Sequence, residues 1–185
     1  PAPRLVFIDG KFSGADSDAG NLPGLHVQRL AEALQSGDAR SAALLGREFP
    51  DHEAPFASLN TALAEDGVLI DIDSGVSIDT HLHVVFLYSS DHTDASYTRH
   101  RIACAEDSRL TVIEHHRGGG SGVSNMLWHV HLKPRAHLTH IRLQDTAKNH
   151  TDFSRCDAAV AGSAEYTRLD IDTGSHFTRH ELNLA

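Results

Sequence analysis

The chain has 185 residues, of which 40% are hydrophobic, and this is enough for one sizeable core. Its 16 basic and 25 acidic residues give a formal net charge of -9, which disfavours nucleic acid and anionic membrane surfaces as partners. No apolar run is long enough to span a bilayer, no secretory signal is visible in residues 1–9, and two cysteines do not make a disulfide framework, so we expect a cytoplasmic protein.

The first third of the chain is predicted to contain one strand and then helices. Residues Leu5–Ile8 are apolar and precede the turn dipeptide Asp9-Gly10, which is typical of a short strand that ends in a turn. From Val68 onward the sequence contains only strand and turn patterns. We therefore predict an N-terminal strand and helical region at residues 1–67 and a β region at residues 68–185.

Three helices are predicted within the N-terminal region. Apolar residues at helical spacing predict one helix over Leu25–Leu34, which Gly37 ends, and another over Phe56–Leu63. Asp38 is a suitable N-cap for a helix between these two. The three helices precede the β region, and we expect them to cover its first turn.

A repeat of 28 residues is the strongest pattern in the β region. Four short segments align on an apolar position, occupied by Leu82, Leu110, Leu138 and Tyr166. Three residues later a second apolar column contains Val85, Ile113, Ile141 and Leu169. Further columns of small and polar residues agree with the same spacing. Such a period predicts a solenoid, in which each repeat buries its apolar side against the next one.

A second strand lies about half a period away and repeats with the same spacing. Alternating apolar residues mark it at Ile102 and Cys104, at Val130 and Leu132, and at Ala158 and Val160. Two strands per turn predict a mainly β fold, a right-handed parallel β-helix of about 28 residues per turn preceded by a small α-helical region. A β-sandwich with evenly spaced strands is the alternative.

Five apolar residues are expected in the core between the two sheets of this β-helix. They are Leu110, Val130, Ile141, Val160 and Leu169. The two apolar columns of the first strand are three residues apart, and a regular strand cannot bury both on one side. We therefore expect a bend or bulge in that strand.

Four segments resemble the SufD family of iron–sulfur cluster assembly proteins. The run Phe56–Val68 is similar to the family helix that leads through Asp-Gly into the first β-helix strand, and Leu5–Phe12 is similar to the strand before it. Asn125–Gln144 resembles a segment that joins successive turns, and Gly174–Leu182 resembles a glycine-to-arginine-acid motif. The order of the segments also matches.

The resemblance implies a role in a protein assembly. SufD-like proteins pair with the paralogue SufB and with the ATPase SufC, they are not regarded as enzymes, and a cluster is built on the assembled complex. The resemblance therefore implies no catalytic residue and no cofactor bound by this chain. Members of the family are longer, and this chain stops at Leu182–Ala185, in mid-strand, so we expect a fragment.

Two pairs of histidines are the candidates for metal ligation. His81 and His83, and likewise His129 and His131, place two imidazoles on one side of a strand. Two such ligands hold zinc or iron(II) only when a third joins them. Because Val130 belongs to the inward column, we expect His129 and His131 to point outward to solvent or to a partner, and we expect no metal site.

Two other functions remain open at the level of the sequence. Gly75 followed by His81 and His83 matches the start of a cupin motif, which would make the chain a cupin-like metal-dependent enzyme or a metal-binding β domain. The glutamate that this motif requires is absent from Val84–Ser90. The other possibility is a structural β-solenoid that binds proteins without any link to clusters.

The end of the chain is the predicted contact surface. Leu182 and Leu184 alternate as a strand would, and nothing follows that could pair with them or bury them. We expect contacts through this end, either with a second copy as a homodimer or, in a longer protein, with further turns that lead to SufB.

Overall fold

A computed structural model describes residues 3–37, 39, 43 and 54–185. In chain order the strands are β1 (Arg4–Ile8), β2 (Lys11–Phe12), β3 (Leu25–Arg29), β4 (Val68–Ile72), β5 (Leu82–Tyr88), β6 (Ala95–Cys104), β7 (Arg109–Gly118), β8 (Val123–Leu132), β9 (His137–Thr146), β10 (Thr151–Val160), β11 (Glu165–Asp172) and β12 (Phe177–Leu184). The helices are α1 (Leu30–Gln35) and α2 (Pro55–Leu63).

The strands form two six-stranded sheets that the chain visits alternately. Sheet A has the order β11-β9-β7-β5-β1-β2, and sheet B has the order β12-β10-β8-β6-β4-β3. From β5 to β12 every pairing within a sheet is parallel. The mainly β parallel solenoid is thus confirmed, with about four turns. The β-sandwich is excluded, as is the antiparallel barrel that a cupin requires.

The repeat is 28 residues in the central turns and changes where a connecting loop changes length. Leu110 pairs with Leu138, and Leu138 pairs with Tyr166, as predicted. Leu82, however, pairs with Val112, so its predicted alignment with Leu110 is wrong by two residues. The cause is the loop at residues 89–94, which is two residues longer than the equivalent loop at residues 119–122.

Side chains alternate strictly between the core and the outside, without the expected bend or bulge. Leu110 and Val130 are buried as predicted, at 1% and 0% exposure. Ile141 and Leu169 were expected in the core, but both point outward, and Leu169 is 50% exposed. Val160 is only partly buried against the core. An odd spacing of three residues puts the second apolar column on the opposite side of the strand.

The N-terminal strands extend both sheets. β1 pairs with β5 in parallel, and β3 pairs with β4 antiparallel. The helix predicted over Leu25–Leu34 is therefore wrong in its first half, because Leu25–Arg29 is β3 and only Leu30–Gln35 is helical. The helix predicted after Asp38 lies mostly outside the described residues. The division of the chain at residue 67 stays a prediction.

Helix α2 packs on the outer side of sheet B. The Asn60 side-chain amide donates to the backbone oxygens of Thr98 and Asn125, both at 3.0 Å. The ring of Phe56 stacks on Phe153 with centroids 3.9 Å apart. These contacts confirm the predicted helix over Phe56–Leu63 and fix it across β6, β8 and β10. Among the described helices, none has the length and apolarity to cross a bilayer.

Asp66 and Gly67 join helix α2 to strand β4 of sheet B. The buried Asp66 carboxylate accepts hydrogen bonds from the Phe12 backbone at 3.0 Å and from Arg29 at 2.8 Å. Gly67 lies directly against the Arg99 backbone, and a Cβ there would come within 1.7 Å of the Arg99 oxygen. Only glycine permits this approach, so the Asp-Gly pair is a requirement of the fold.

The alternation predicts a large difference in stability between substitutions at two positions of β9, one inward and one outward. Leu138→Ala removes a side chain that is 1% exposed and should lower the free energy of unfolding by about 2–5 kcal/mol. Ile141→Ala trims a half-buried, outward side chain and should cost less than about 1.5 kcal/mol. Urea denaturation of both variants measures the difference, and equal costs would contradict the assignment of the two faces.

Candidate functional site

The interior of the solenoid changes from apolar to charged along its axis. The inward residues of the sheet A strands in the first turn are Leu82, Val84, Phe86 and Tyr88. In the next three turns polar and charged residues replace the apolar ones toward the end of each strand. The inward residues are Leu110, Val112, Glu114 and His116 in β7; Leu138, His140, Arg142 and Gln144 in β9; and Tyr166, Arg168, Asp170 and Asp172 in β11. The turns that contain β7 and β9 thus enclose ionisable groups, which proteins rarely bury without a partner, whereas Asp170 and Asp172 of β11 are exposed.

Glu114 lies at the inner end of this charged interior. Its two carboxylate oxygens accept hydrogen bonds from His140 Nε2 at 2.8 Å and from His116 Nε2 at 3.3 Å. All three side chains are fully buried. Burial alone would raise the pKa of Glu114, but the charge of His140 and the hydrogen bonds from both histidines hold this pKa well below its usual range.

Arg142 links the two sheets across the interior. Its guanidinium group donates to Asp152 of sheet B and to Asp172 of sheet A, both at 2.8 Å, and also to Gln144. Its Nε lies 3.7 Å from the Glu114 carboxylate. Three carboxylates therefore surround one buried cation, and the arrangement fixes the distance between β9 and β10.

A chain of hydrogen-bonding groups runs from a cysteine to this cluster. Cys156 Sγ lies 3.3 Å from the Tyr166 hydroxyl, and Tyr166 lies 3.1 Å from His140 Nδ1. The opposite nitrogen of His140 donates to Glu114. Burial raises the pKa of Cys156 and of Tyr166, so both keep their protons.

Other buried histidines are kept neutral by the loss of solvent. Burial lowers the pKa of His100 to about 3, and it also lowers the pKa of His116 and His150. His100 accepts a hydrogen bond from the Val68 amide at 3.2 Å and stacks on Trp128 with centroids 4.5 Å apart. An imidazole in this setting behaves as an aromatic core residue with one acceptor nitrogen.

The two cysteines are poor ligands for a metal or a cluster. Iron–sulfur clusters and zinc are bound by thiolates, which form readily only where the pKa is low. Cys104 and Cys156 are both buried, and burial raises the pKa of Cys104 to about 12. Within the described ranges, no three histidine, cysteine or acidic side chains are placed so that they could hold a metal ion.

The two histidines of the first predicted pair, His81 and His83, have different surroundings. His81 is exposed, whereas His83 is half-buried and its Nδ1 lies 2.9 Å from Nε2 of His115 on the neighbouring strand. Their rings lie 18° from parallel with centroids 5.1 Å apart, so the two nitrogens face each other along an N–H···N hydrogen bond. One nitrogen of each imidazole is thus engaged by the other ring.

The second pair, His129 and His131, is divided by its surroundings. Both point away from the core, as predicted, and His131 is exposed. His129, however, is only 1% exposed, so its expected exposure to solvent is wrong. Arg99 Nε donates to His129 Nε2 at 3.2 Å, and Arg99 also donates to Thr61 of α2 at 3.0 Å, which places this histidine beneath the helix.

Leu182 and Leu184 lie on the core side of the last strand. They pair with the buried residues Cys156 and Ala158 of β10 but remain 48% and 64% exposed. Sheet B ends at β12 in the described part of the chain, just as sheet A ends at β11. These leucines thus have the orientation of core residues and the exposure of surface residues.

The charged interior could have been found from strand alternation alone. Counting in steps of two from Leu110 reaches Glu114 and His116, and from Leu138 it reaches His140 and Arg142. The predicted inward column used a step of three and passed over all four. No motif in the sequence distinguishes these four residues.

Two comparisons with known proteins agree with this architecture. Residues 86–185 match the profile of the SUF system FeS cluster assembly, SufBD core domain. The chain belongs to the SufBD family. It is also 24% identical over 194 residues to the iron-sulfur cluster assembly SufBD family protein slr0076 of Synechocystis sp.. This alignment covers 98% of the chain and 43% of that relative, so the chain spans less than half of the relative's length.

The core domain of the SufBD family coincides with the charged turns. The matched residues begin in β5 and include every strand from β6 to β12. Glu114, Arg142, Asp152 and Asp172 all lie within the matched range. The resemblance seen in the sequence is therefore confirmed at the level of the SufBD family.

Arg142 should be indispensable for the fold of these turns. Arg142→Met leaves buried carboxylates without their cation and should lower the free energy of unfolding by about 3–5 kcal/mol. Arg135→Met breaks ion pairs with Glu106 and Asp107 that are about half exposed, and should cost at most about 1 kcal/mol. Chemical denaturation at neutral pH compares the two, and a neutral effect of Arg142→Met would contradict the pairing.

Acid should destabilise the protein through its buried histidines. The folded state holds His100 neutral until about pH 3, whereas the unfolded chain binds this proton near pH 6.5. The stability is thus fully present above about pH 6.5 and falls below it, by about 1.4 kcal/mol per pH unit for each such histidine.

His100→Phe tests this dependence while keeping an aromatic ring against Trp128. Between about pH 6 and pH 4 the variant should lose stability less steeply than the wild type, by about 1.4 kcal/mol per pH unit. Urea midpoints at a series of pH values give both slopes. Parallel slopes would show that His100 does not contribute to the acid sensitivity.

Proposed function

We propose that this chain is part of a non-catalytic component of the SUF iron–sulfur cluster assembly scaffold. The observation that supports this most strongly is the SufBD core domain match over residues 86–185. Residues 86–185 form the turns of the solenoid, so the family match and the β-solenoid fold concern the same part of the chain. The proposal places the protein in the cytoplasm, where the cluster is the cargo of the assembly.

A scaffold role suits the chemistry of the described residues. Arg142 and Asp152 are fully buried and pair with each other, and Asp172, whose side chain is 32% exposed, completes the pairing of Arg142. Both thiols are buried and protonated, which disfavours a cluster held by this chain alone. We therefore propose that the cluster is built on the assembled complex and that this chain supplies structure.

The proposed partners are a SufB-like paralogue and a SufC-like ATPase. The final turn supports the first of these, because β11 and β12 each pair with one described neighbour. Their outer edges carry backbone donors and acceptors that a further strand can use. Leu182 and Leu184 add exposed apolar surface on the core side of that edge. We propose that another β-solenoid unit continues the stack there.

Co-purification tests the proposed partners. The full-length protein, co-expressed with the SufB-like and SufC-like proteins of the same organism, should retain both on a tag placed on this chain. Leu182→Asp with Leu184→Asp should abolish retention of the SufB-like partner, since it puts two charges on the apolar end. Leu63→Asp, at a leucine that is 43% exposed on α2, should retain it.

Two outcomes of that experiment count against the proposal. Absence of both partners from the wild-type preparation would overturn the assembly role. Retention of the SufB-like partner by the doubly substituted protein would leave the assembly intact and contradict its attachment through the last turn.

A further inference from the structure

Two imidazoles from different strands meet on the outward side of sheet A. His83 of β5 and His115 of β7 are 32 residues apart in the chain, and Nδ1 of the first lies 2.9 Å from Nε2 of the second. Their rings are 18° from parallel. The sequence predicted a ligand pair within one strand, at His81 and His83, and lacked a third ligand. The fold brings a further nitrogen to this pair from the neighbouring strand.

The register between β5 and β7 explains why these two rings meet. His83 pairs with Ile113 and Val85 pairs with His115, so the two histidines are diagonal neighbours on one side of the sheet. Diagonal neighbours remain within reach of aromatic side chains. With a repeat of 28 residues His115 would instead pair with Leu87, four residues beyond His83 and about 13 Å away. The longer loop at residues 89–94 therefore creates the contact.

His81 is a third imidazole on the same side of the sheet. It comes two residues before His83, and side chains at this spacing in an extended segment point to the same side. Burial, and then the charge of His81, lowers the pKa of His83, so the two rings are close enough to interact. His81 is not in a ligand position in this conformation. Because it is exposed, it can reach one by a change of rotamer.

The donor atoms and their surroundings select the kind of ligand. Imidazole nitrogen binds transition metals, whereas magnesium and calcium require oxygen ligands. Burial lowers the pKa of both His83 and His115, so both rings are neutral at neutral pH. Arg4 pairs with His83 on β1, and Arg117 follows His115 by two residues. Their positive charges oppose a cation held by electrostatic attraction alone, so the ligand must form coordinate bonds with nitrogen.

The distance between the two nitrogens indicates the coordination geometry. Metal–imidazole bonds are about 2.0–2.1 Å long, so nitrogens 2.9 Å apart subtend an angle of about 90° at a shared metal ion. A tetrahedral zinc site would hold them about 3.4 Å apart. Angles of about 90° between adjacent ligands are typical of the square-planar and tetragonal sites that Cu(II) and Ni(II) prefer.

We propose that His83 and His115 form a binding site for a divalent transition-metal ion of the Cu(II) and Ni(II) type. The two imidazoles occupy adjacent coordination positions, His81 supplies a third ligand, and water fills the rest. The ring whose N–H faces the other ring transfers that proton to its opposite nitrogen through solvent, so both facing nitrogens become ligands and no proton is released. The bound ion links β5 to β7, and the site does not depend on the proposed assembly role.

Calorimetric titration with NiCl2 tests the proposal on the full chain, free of any histidine tag and stripped of metal by a chelator. The wild type should bind one Ni(II) ion at least about 10-fold more tightly than His83→Phe or His115→Phe, which keep an aromatic ring and lose the nitrogen. His81→Phe should weaken binding less, because His81 is not already in position. ZnCl2 should bind more weakly than NiCl2.

His137→Phe is the matched control. His137 is also an outward histidine of sheet A, and its Nδ1 lies 3.1 Å from a carboxylate oxygen of Glu165, so it is the kind of surface residue that binds metal ions non-specifically. This variant should bind Ni(II) like the wild type.

Unfolding in urea gives an independent measurement. The ligands are 32 residues apart in the chain and come together only in the folded state, so Ni(II) should raise the urea midpoint of the wild type. The same concentration should leave the midpoint of His115→Phe unchanged. Circular dichroism without metal shows whether each variant is folded, and His115→Gln replaces His115→Phe should that one unfold.

Three results would overturn the proposal. Equal binding of Ni(II) by the wild type and His115→Phe would place the ion on other histidines of the chain. Binding lost in His81→Phe and kept in His115→Phe would reduce the site to a chelate within one strand. Tighter binding of Zn(II) than of Ni(II) would contradict the coordination geometry inferred from the 2.9 Å distance.

Discussion

Parallel, in-register pairing between successive turns is the constraint on which this structure depends. Once Leu110 is paired with Leu138, every second residue of both strands must point to the same side. The sequence of one strand then decides what the strand above it meets, both inside and outside. A charge placed inward in one turn, such as Glu114, requires a complementary group inward in the next, and Arg142 and His140 meet this requirement.

The charged interior follows from this constraint and has an energetic consequence. An apolar interior would be at least as stable, since buried ion pairs recover little more than the cost of removing their charges from water. Their geometry is more demanding, however, because Arg142 satisfies Asp152 and Asp172 only when both sheets are in correct register. Apolar side chains tolerate a slip that this network does not. We infer that the network specifies the register of the last turns more than it adds to their stability.

The sequence predicted the solenoid because the 28-residue period can be recognised without knowing which side of each strand faces the core. Leu110 and Val130 are in the core as predicted, since each belongs to a regular alternation of apolar and polar residues. Ile141 and Leu169 were placed wrongly because conservation of residue type between repeats does not distinguish the two sides of a strand. β-Branched residues favour strands whichever side they lie on, so their recurrence does not identify the buried side.

The candidate site was predictable only in part, for a different physical reason. Charged residues are almost always exposed, so Glu114 and Arg142 were not expected inside from their residue types alone. Conversely, His129 lies outside the core and is nevertheless buried, because a helix distant in sequence covers it. Strand alternation gives the side of the sheet, but not what lies above it, and burial depends on both.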